Sequence, residues 1–143
     1  MKKLFLTTII CILSFIIKAQ CNLTIAELQK VCVMDTAQFR SYAMKNGMKL
    51  FQEQDNNIFY VCSKDISVSF NVYFKDGNGF HYEFPDKKWY DSLFDELSKY
   101  GYKLKHKGME NFQFVNNYES KNFILNLIAN DGGSYDVNIM KKK

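Results

Sequence analysis

The fold of this chain is decided by residues 68–84, VSFNVYFKDGNGFHYEF. Apolar side chains occupy every second position on both sides of the bend at Asp76–Gly79, which is the period of a strand with one buried face. Aspartate, asparagine and glycine adopt positive φ at little cost, so the bend has the chemistry of a hairpin turn. The stretch therefore predicts two antiparallel strands that turn the same face towards a core.

This pattern recurs later in the chain. Residues 71–77 (NVYFKDG) align with residues 126–132 (NLIANDG), and residues 46–50 (NGMKL) align with residues 100–104 (YGYKL). The first alignment has an offset of 55 positions and the second an offset of 54, so a single inserted residue reconciles them. Ordered self-similarity of this kind predicts one structural unit written twice.

A helix is predicted at the start of each repeat. In the first repeat Asp35 has the position of an N-cap, with a glutamine three residues later, and Gly47 ends the helical pattern. In the second repeat Asp86 opens the helix and Gly101 closes it. Antiparallel strands follow the helix in both repeats.

The predicted fold class is α+β, with two tandem helix-plus-strand units that form one sheet of about eight strands and carry their helices on one face. A capping pattern at Thr24 and Glu27 predicts one more short helix, through about Cys32, ahead of the first repeat. The repeats span about residues 33–85 and 86–141 and lie within a single globular domain of residues 20–143.

Residues 1–19 have the pattern of a secretory signal peptide, with two lysines ahead of a short apolar run and cleavage expected after Ala19. Cleavage removes three lysines and reduces the net charge from +4 to +1. A nearly neutral domain has little electrostatic attraction for nucleic acid, and no membrane span remains after cleavage. We expect a periplasmic or secreted protein.

Three cysteines remain after cleavage, namely Cys21, Cys32 and Cys62. In an oxidising compartment one disulfide is expected, and three pairings are open. We favour Cys32–Cys62. Cys21 lies where a lipid anchor would lie, so a lipid-anchored surface component is one alternative.

The sequence signals no catalytic, cofactor-binding or metal-ligating set. His81 and His106 are the only histidines, and neither has further ligands at the spacing of a zinc site. Cys62 with His81 has the chemistry of a nucleophile and a base, so a small envelope hydrolase-like enzyme that uses Cys62 or His81 is an alternative function. No third residue that would orient them is indicated, so we expect a protein that is not an enzyme and uses no cofactor.

Two surface features bear on binding. Lys103, Lys105 and Lys107 alternate along a predicted strand and should share one face, where they would contact an acidic partner or protect an edge strand from sheet-to-sheet pairing. Tyr73 lies opposite the core set of its own strand and is a candidate for exposed aromatic surface. These features favour a non-catalytic module that binds another protein.

Two resemblances accompany this interpretation. The Ala19–Gln20 junction resembles the signal sequences of secreted proteins of Bacteroidota type, and the whole pattern is similar to small uncharacterised exported proteins of that type. The tandem helix-plus-strands architecture also resembles β-lactamase-inhibitor-like proteins. That resemblance implies binding to another protein and assigns no residue a role.

Overall fold

The structure is a computed structural model that describes residues 21–54, 57–62, 67–73 and 79–143, with only the backbone of residues 71–73. The expected signal peptide and residues 76–78 of the expected turn lie outside these residues. The helices are α1 (Ile25–Cys32), α2 (Thr36–Lys45) and α3 (Lys87–Leu97), which a 3₁₀ turn (Ser98–Tyr100) extends. The strands are β1 (Met48–Gln54), β2 (Asn57–Cys62), β3 (Ser69–Tyr73), β4 (Gly79–Phe84), β5 (Lys103–Glu110), β6 (Gln113–Glu119), β7 (Phe123–Asn130) and β8 (Tyr135–Lys141).

One antiparallel sheet contains all of these strands in the order β1-β2-β3-β4-β8-β7-β6-β5. The α+β prediction is therefore confirmed. Each repeat supplies four consecutive neighbours, and the repeats join through their last strands, where Phe80 pairs with Ile139 and Tyr82 with Val137. The first strand of each repeat, β1 or β5, therefore lies at an edge of the sheet, and the last strand of each repeat lies at its centre.

The helix ends follow the capping chemistry of the sequence. Asp35 accepts a hydrogen bond from the backbone N–H of Gln38, whose side chain returns to the Asp35 N–H. Asp86 caps α3 by accepting from the N–H of Trp89. Both cap predictions are confirmed.

The backbones of the two repeats match in detail. Gly47 and Gly101 follow their helices with φ of 72° and 71°. In β1 the register with β2 shifts between Leu50 and Gln52, and in β5 the register with β6 shifts between Leu104 and His106. These bulges lie at the offset of 54 that the sequence alignment gives.

The first hairpin of each repeat differs in length. Gln54 pairs with Asn57 across two residues, whereas the corresponding pair, Gly108 and Val115, encloses six. The second hairpin is therefore four residues longer than the first. The next connection is three residues shorter in the second repeat, since Tyr60 and Phe70 enclose nine residues and their counterparts Tyr118 and Leu125 enclose six. The single inserted residue is thus the net result of two larger changes.

The core lies between the helices and one face of the sheet. Helix α1 crosses the β4–β8 junction, and α2 packs on β1. Aromatic rings fill the centre: Tyr82 stacks on Phe70 at a centroid distance of 4.4 Å and on Phe84 at 4.9 Å. The other face of the sheet, which we call the open face, carries the side chains that alternate with this core set.

Candidate functional site

The disulfide joins Cys21 to Cys62, with a Cα–Cα distance of 6.0 Å, so the Cys32–Cys62 pairing is wrong. The reason is tertiary: α1 places Cys32 over β8, where its thiol donates to the carbonyl oxygen of Ile139 at 3.6 Å. Strand β8 is three strands away from β2, a distance of about 14 Å across a sheet. Burial raises the pKa of the Cys32 thiol to about 11.

This pairing bears on two of the alternative functions. The sulfur of Cys62 is bonded to sulfur and is not a thiolate nucleophile in this structure. The sulfur of Cys21 is occupied in the same way, so it cannot also hold a lipid. A nucleophilic Cys62 and a lipid on Cys21 would each require the disulfide to be absent.

The three lysines of β5 do not share one face. Lys105 lies at the bulge, Lys103 pairs with Glu119, and Lys107 pairs with Asn116. Glu119 and Asn116 are three positions apart in a regularly paired strand, so they point to opposite faces and their partners do as well. Strand β5 is nevertheless a terminal strand of the sheet, as the edge-strand interpretation predicts.

Tyr73 is the last residue of β3. Its backbone pairs with Asn57 on one side and Gly79 on the other. Its side chain lies outside the described part of the chain, so the prediction of exposed aromatic surface stays a prediction.

The longer hairpin of the second repeat ends in an apolar tip. We call residues 108–115 the outer hairpin. Met109, Phe112 and Phe114 on it are 64%, 80% and 48% exposed. Asn111 and Phe112 form the turn with positive φ values of 49° and 64°, a conformation that costs a bulky side chain about 1–2 kcal/mol. A strained turn therefore holds a phenylalanine in solvent.

At the opposite edge of the sheet, a shallow depression of about 410 Å³ lies on the first hairpin. Phe51 and Phe59 line it together with three polar side chains, Gln52, Gln54 and Asn57. The two rings meet edge to face at 5.5 Å. Part of the exposed apolar surface of this hairpin is therefore covered by its own side chains.

A cluster of polar side chains lies on the open face at the β4–β8 junction. His81 is directly opposite Asn138, and Glu83 is directly opposite Asp136. One ligand atom each of His81, Glu83 and Asp136 lie within 4.8 Å of one another. We call these three residues the junction triad.

Hydrogen bonds orient two members of the junction triad. The Nδ1 of His81 is 2.5 Å from Oδ1 of Asn138, and Asn130 donates to Oδ2 of Asp136 at 3.1 Å. The other oxygen of Asp136, Oδ1, accepts no hydrogen bond from the described residues, although Asp136 is only 9% exposed. It lies 3.9 Å from Nε2 of His81.

Sequence reasoning missed the junction triad, because it searched for ligands at close spacing along the chain. His81 and Glu83 alternate on one strand, while Asp136 comes from the second repeat. The repeat alignment carries the one available signal, since an offset of 55 places Asp136 on His81.

Comparisons of the chain with protein-family models, with curated proteins and with solved structures found no match. None of the helices among the described residues has the length and apolar character needed to cross a bilayer. The arguments below therefore depend on the geometry of this chain.

Proposed function

We propose that this protein is an exported, non-catalytic module that binds another protein through the outer hairpin. One observation carries the proposal: the four residues by which the second hairpin exceeds the first lie in the segment that carries the exposed apolar side chains of Met109, Phe112 and Phe114. Apolar side chains that cluster in solvent, outside the core, favour contact with a partner.

The chemistry of this region suits a protein interface. Aromatic residues and methionine are enriched at the centres of interfaces. Lys103, Lys105 and Lys107 continue the same edge strand beyond the tip. A partner with an apolar pocket and an acidic rim would therefore be complementary.

The edge itself argues for recognition through side chains. A regular, exposed edge strand would invite a partner to add a strand of its own. The bulge between Leu104 and His106 interrupts the ladder in β5, and lysines flank it. We therefore expect the partner to hold the tip of the hairpin and not to extend the sheet.

Two features support export. The pattern of residues 1–19 is that of a signal peptide. Disulfides such as Cys21–Cys62 form and persist in oxidising compartments, which include the periplasm and the cell exterior.

The test is capture of a partner from envelope and culture fractions by protein produced from the full chain. A variant that combines Met109→Ser, Phe112→Ser and Phe114→Ser removes the apolar tip. The matched control combines Leu50→Ser and Phe51→Ser, which removes exposed apolar residues from the first hairpin.

Wild type and control should retain the same protein, and the tip variant should lose it. Quantitative mass spectrometry of the three eluates measures the difference. Identical eluates from all three proteins, or no retained protein in any, would contradict the proposal.

A further inference from the structure

We propose that the junction triad binds a divalent transition metal of the zinc type, through Nε2 of His81, a carboxylate oxygen of Glu83 and Oδ1 of Asp136. This site is separate from the outer hairpin and goes beyond the proposed function. It takes two ligands from the first repeat and one from the second.

The geometry is close to that of a coordination sphere. Ligand atoms in a tetrahedral zinc site, with bonds of about 2.0–2.2 Å, are about 3.4 Å apart. The Nε2–Oδ1 distance of 3.9 Å and the overall limit of 4.8 Å require only small side-chain rotations to reach that arrangement. The ligands project from adjacent, fully paired strands, which fix their backbone positions.

The hydrogen bond of His81 to Asn138 leaves Nε2 available to bind a metal. Because Oδ1 of Asn138 is an acceptor, the contact at 2.5 Å requires the proton on Nδ1 of His81. Nε2 then carries the lone pair, and it lies 3.9 Å from Oδ1 of Asp136. Metal-binding histidines are oriented by this kind of outer hydrogen bond.

A hydrogen bond to Asp136 likewise leaves one of its oxygens available to bind a metal. Asn130 donates a hydrogen bond to its Oδ2, whereas the buried Oδ1, 3.9 Å from Nε2 of His81, has no donor among the described residues. A buried carboxylate oxygen without a partner costs free energy, commonly about 1–3 kcal/mol or more. A cation bound by Oδ1 would remove that cost.

The electrostatics also call for a cation. Glu83 faces Asp136 directly across the strand pair, and like charges in that position destabilise a sheet. Within the described residues, neither carboxylate forms an ion pair with a lysine or an arginine. A proton on Nε2 of His81 would supply one positive charge, and a divalent ion would supply two.

The donor set selects the class of metal. One imidazole and two carboxylates suit zinc and its neighbours, whereas calcium takes six to eight oxygens and has little use for an imidazole nitrogen. His81 and Glu83 are partly exposed, so a fourth position would remain accessible to water. The bound metal would cross-link the two repeats at their junction.

The experiment is calorimetric titration of Zn²⁺ into chelator-treated protein produced from the full chain. We expect one ion per chain. Asp136→Asn and His81→Ala should each weaken binding by more than about tenfold, and Asn138→Ala should weaken it by about tenfold or more, as is usual for outer-shell partners.

His106→Ala is the matched control, since His106 also lies next to a carboxylate, Glu110, at 3.3 Å, but both groups are exposed. It should bind Zn²⁺ as wild type does. Circular dichroism of the metal-free variants checks that each is folded, and Asp136→Asn preserves the shape of the side chain.

Three outcomes would overturn the proposal. They are no binding by folded wild type, equal binding by folded His81→Ala, and loss of binding in His106→Ala. Tighter binding of Ca²⁺ than of Zn²⁺ would overturn the assigned class of metal. Loss of the partner on the outer hairpin would leave all of these results unchanged, so the two proposals fail separately.

Discussion

The two repeats of this protein share a backbone and differ in what they attach to it. Both have a left-handed glycine after the helix and a bulge at the same position of the next strand. At the bulge the first repeat has Phe51 and the second has Lys105. The first repeat also supplies Cys62, which forms a disulfide with Cys21 of the N-terminal segment, and the second repeat has the longer hairpin.

This comparison distinguishes the features that build the sheet from the features that contact other parts of the molecule or a partner. The glycine that ends the helix and the bulge in the next strand occur in both repeats, because each repeat connects a helix to an edge strand. Two features occur in one repeat only. The disulfide joins the first repeat to the N-terminal segment, and the longer hairpin of the second repeat contacts, by our proposal, a partner.

The largest effect is expected from the disulfide. Cys62→Ser opens a covalent loop with a sequence separation of 41 and should lower the free energy of unfolding by about 4 kcal/mol. Chemical denaturation measures the change. Cys32→Ser is the control, since it leaves the disulfide intact. A reductant breaks the disulfide in this variant and in the wild type, so it should lower the free energy of unfolding of both by the same amount.

Alkaline pH should act on both repeats together. Burial raises the pKa of Tyr42, in the first repeat, from 10.0 to about 12, and that of Tyr90, in the second, to about 12. The Cys32 thiol shifts from 9.0 to about 11. The folded state keeps these protons longer than the unfolded state, so stability is complete below about pH 9 and falls as pH rises towards 12.

Far-UV circular dichroism should therefore report one unfolding transition in an alkaline titration. Two separate losses of ellipticity would show that the repeats unfold independently, which would contradict a core shared by both repeats.

The glycines that end the helices test whether the repeats are equivalent. Gly101→Ala should cost about 1–2 kcal/mol, because a Cβ there meets no atom within 4 Å and the cost comes from φ alone. Gly47→Ala should cost a similar amount. Gly132→Ala, which also has open space and no positive φ, is the control and should change stability by less than about 0.5 kcal/mol.

The smallest effect on stability is expected at the outer hairpin. Phe112→Gly relieves a positive φ of 64° and should change the free energy of unfolding by between about 0 and 1 kcal/mol in the stabilising direction. Partner capture should fall even so. A large destabilisation would mean that Phe112 serves the fold, and the proposed difference between the repeats would lose its functional meaning.

Much of the fold could be predicted from local patterns. The alternation in residues 68–84, the caps at Asp35 and Asp86 and the glycines at positions 47 and 101 each depend on near neighbours, and the structure agrees with them wherever it describes them. The repeat alignment indicated that the strands of the first unit occur again in the second, which predicts about eight strands in total. The absence of a linker rich in Gly, Pro or Ser between the repeats indicated one continuous structure.

The candidate sites could be predicted less well. Strict alternation placed three lysines on one face, and the bulge at Lys105 separates them. Spacing along the chain gave Cys62 the wrong partner and hid the junction triad. In each case the missing information is the position of one segment relative to a distant one.

The sequence by itself determined the secondary structure, the duplication and the α+β class, because periodicity, capping and turn chemistry act over a few residues. Only the tertiary structure decided that Cys21 meets Cys62, that β4 pairs with β8, and that His81, Glu83 and Asp136 converge. Those contacts depend on strand register and on the path of α1 across the sheet. Both are set by the packing of the whole core.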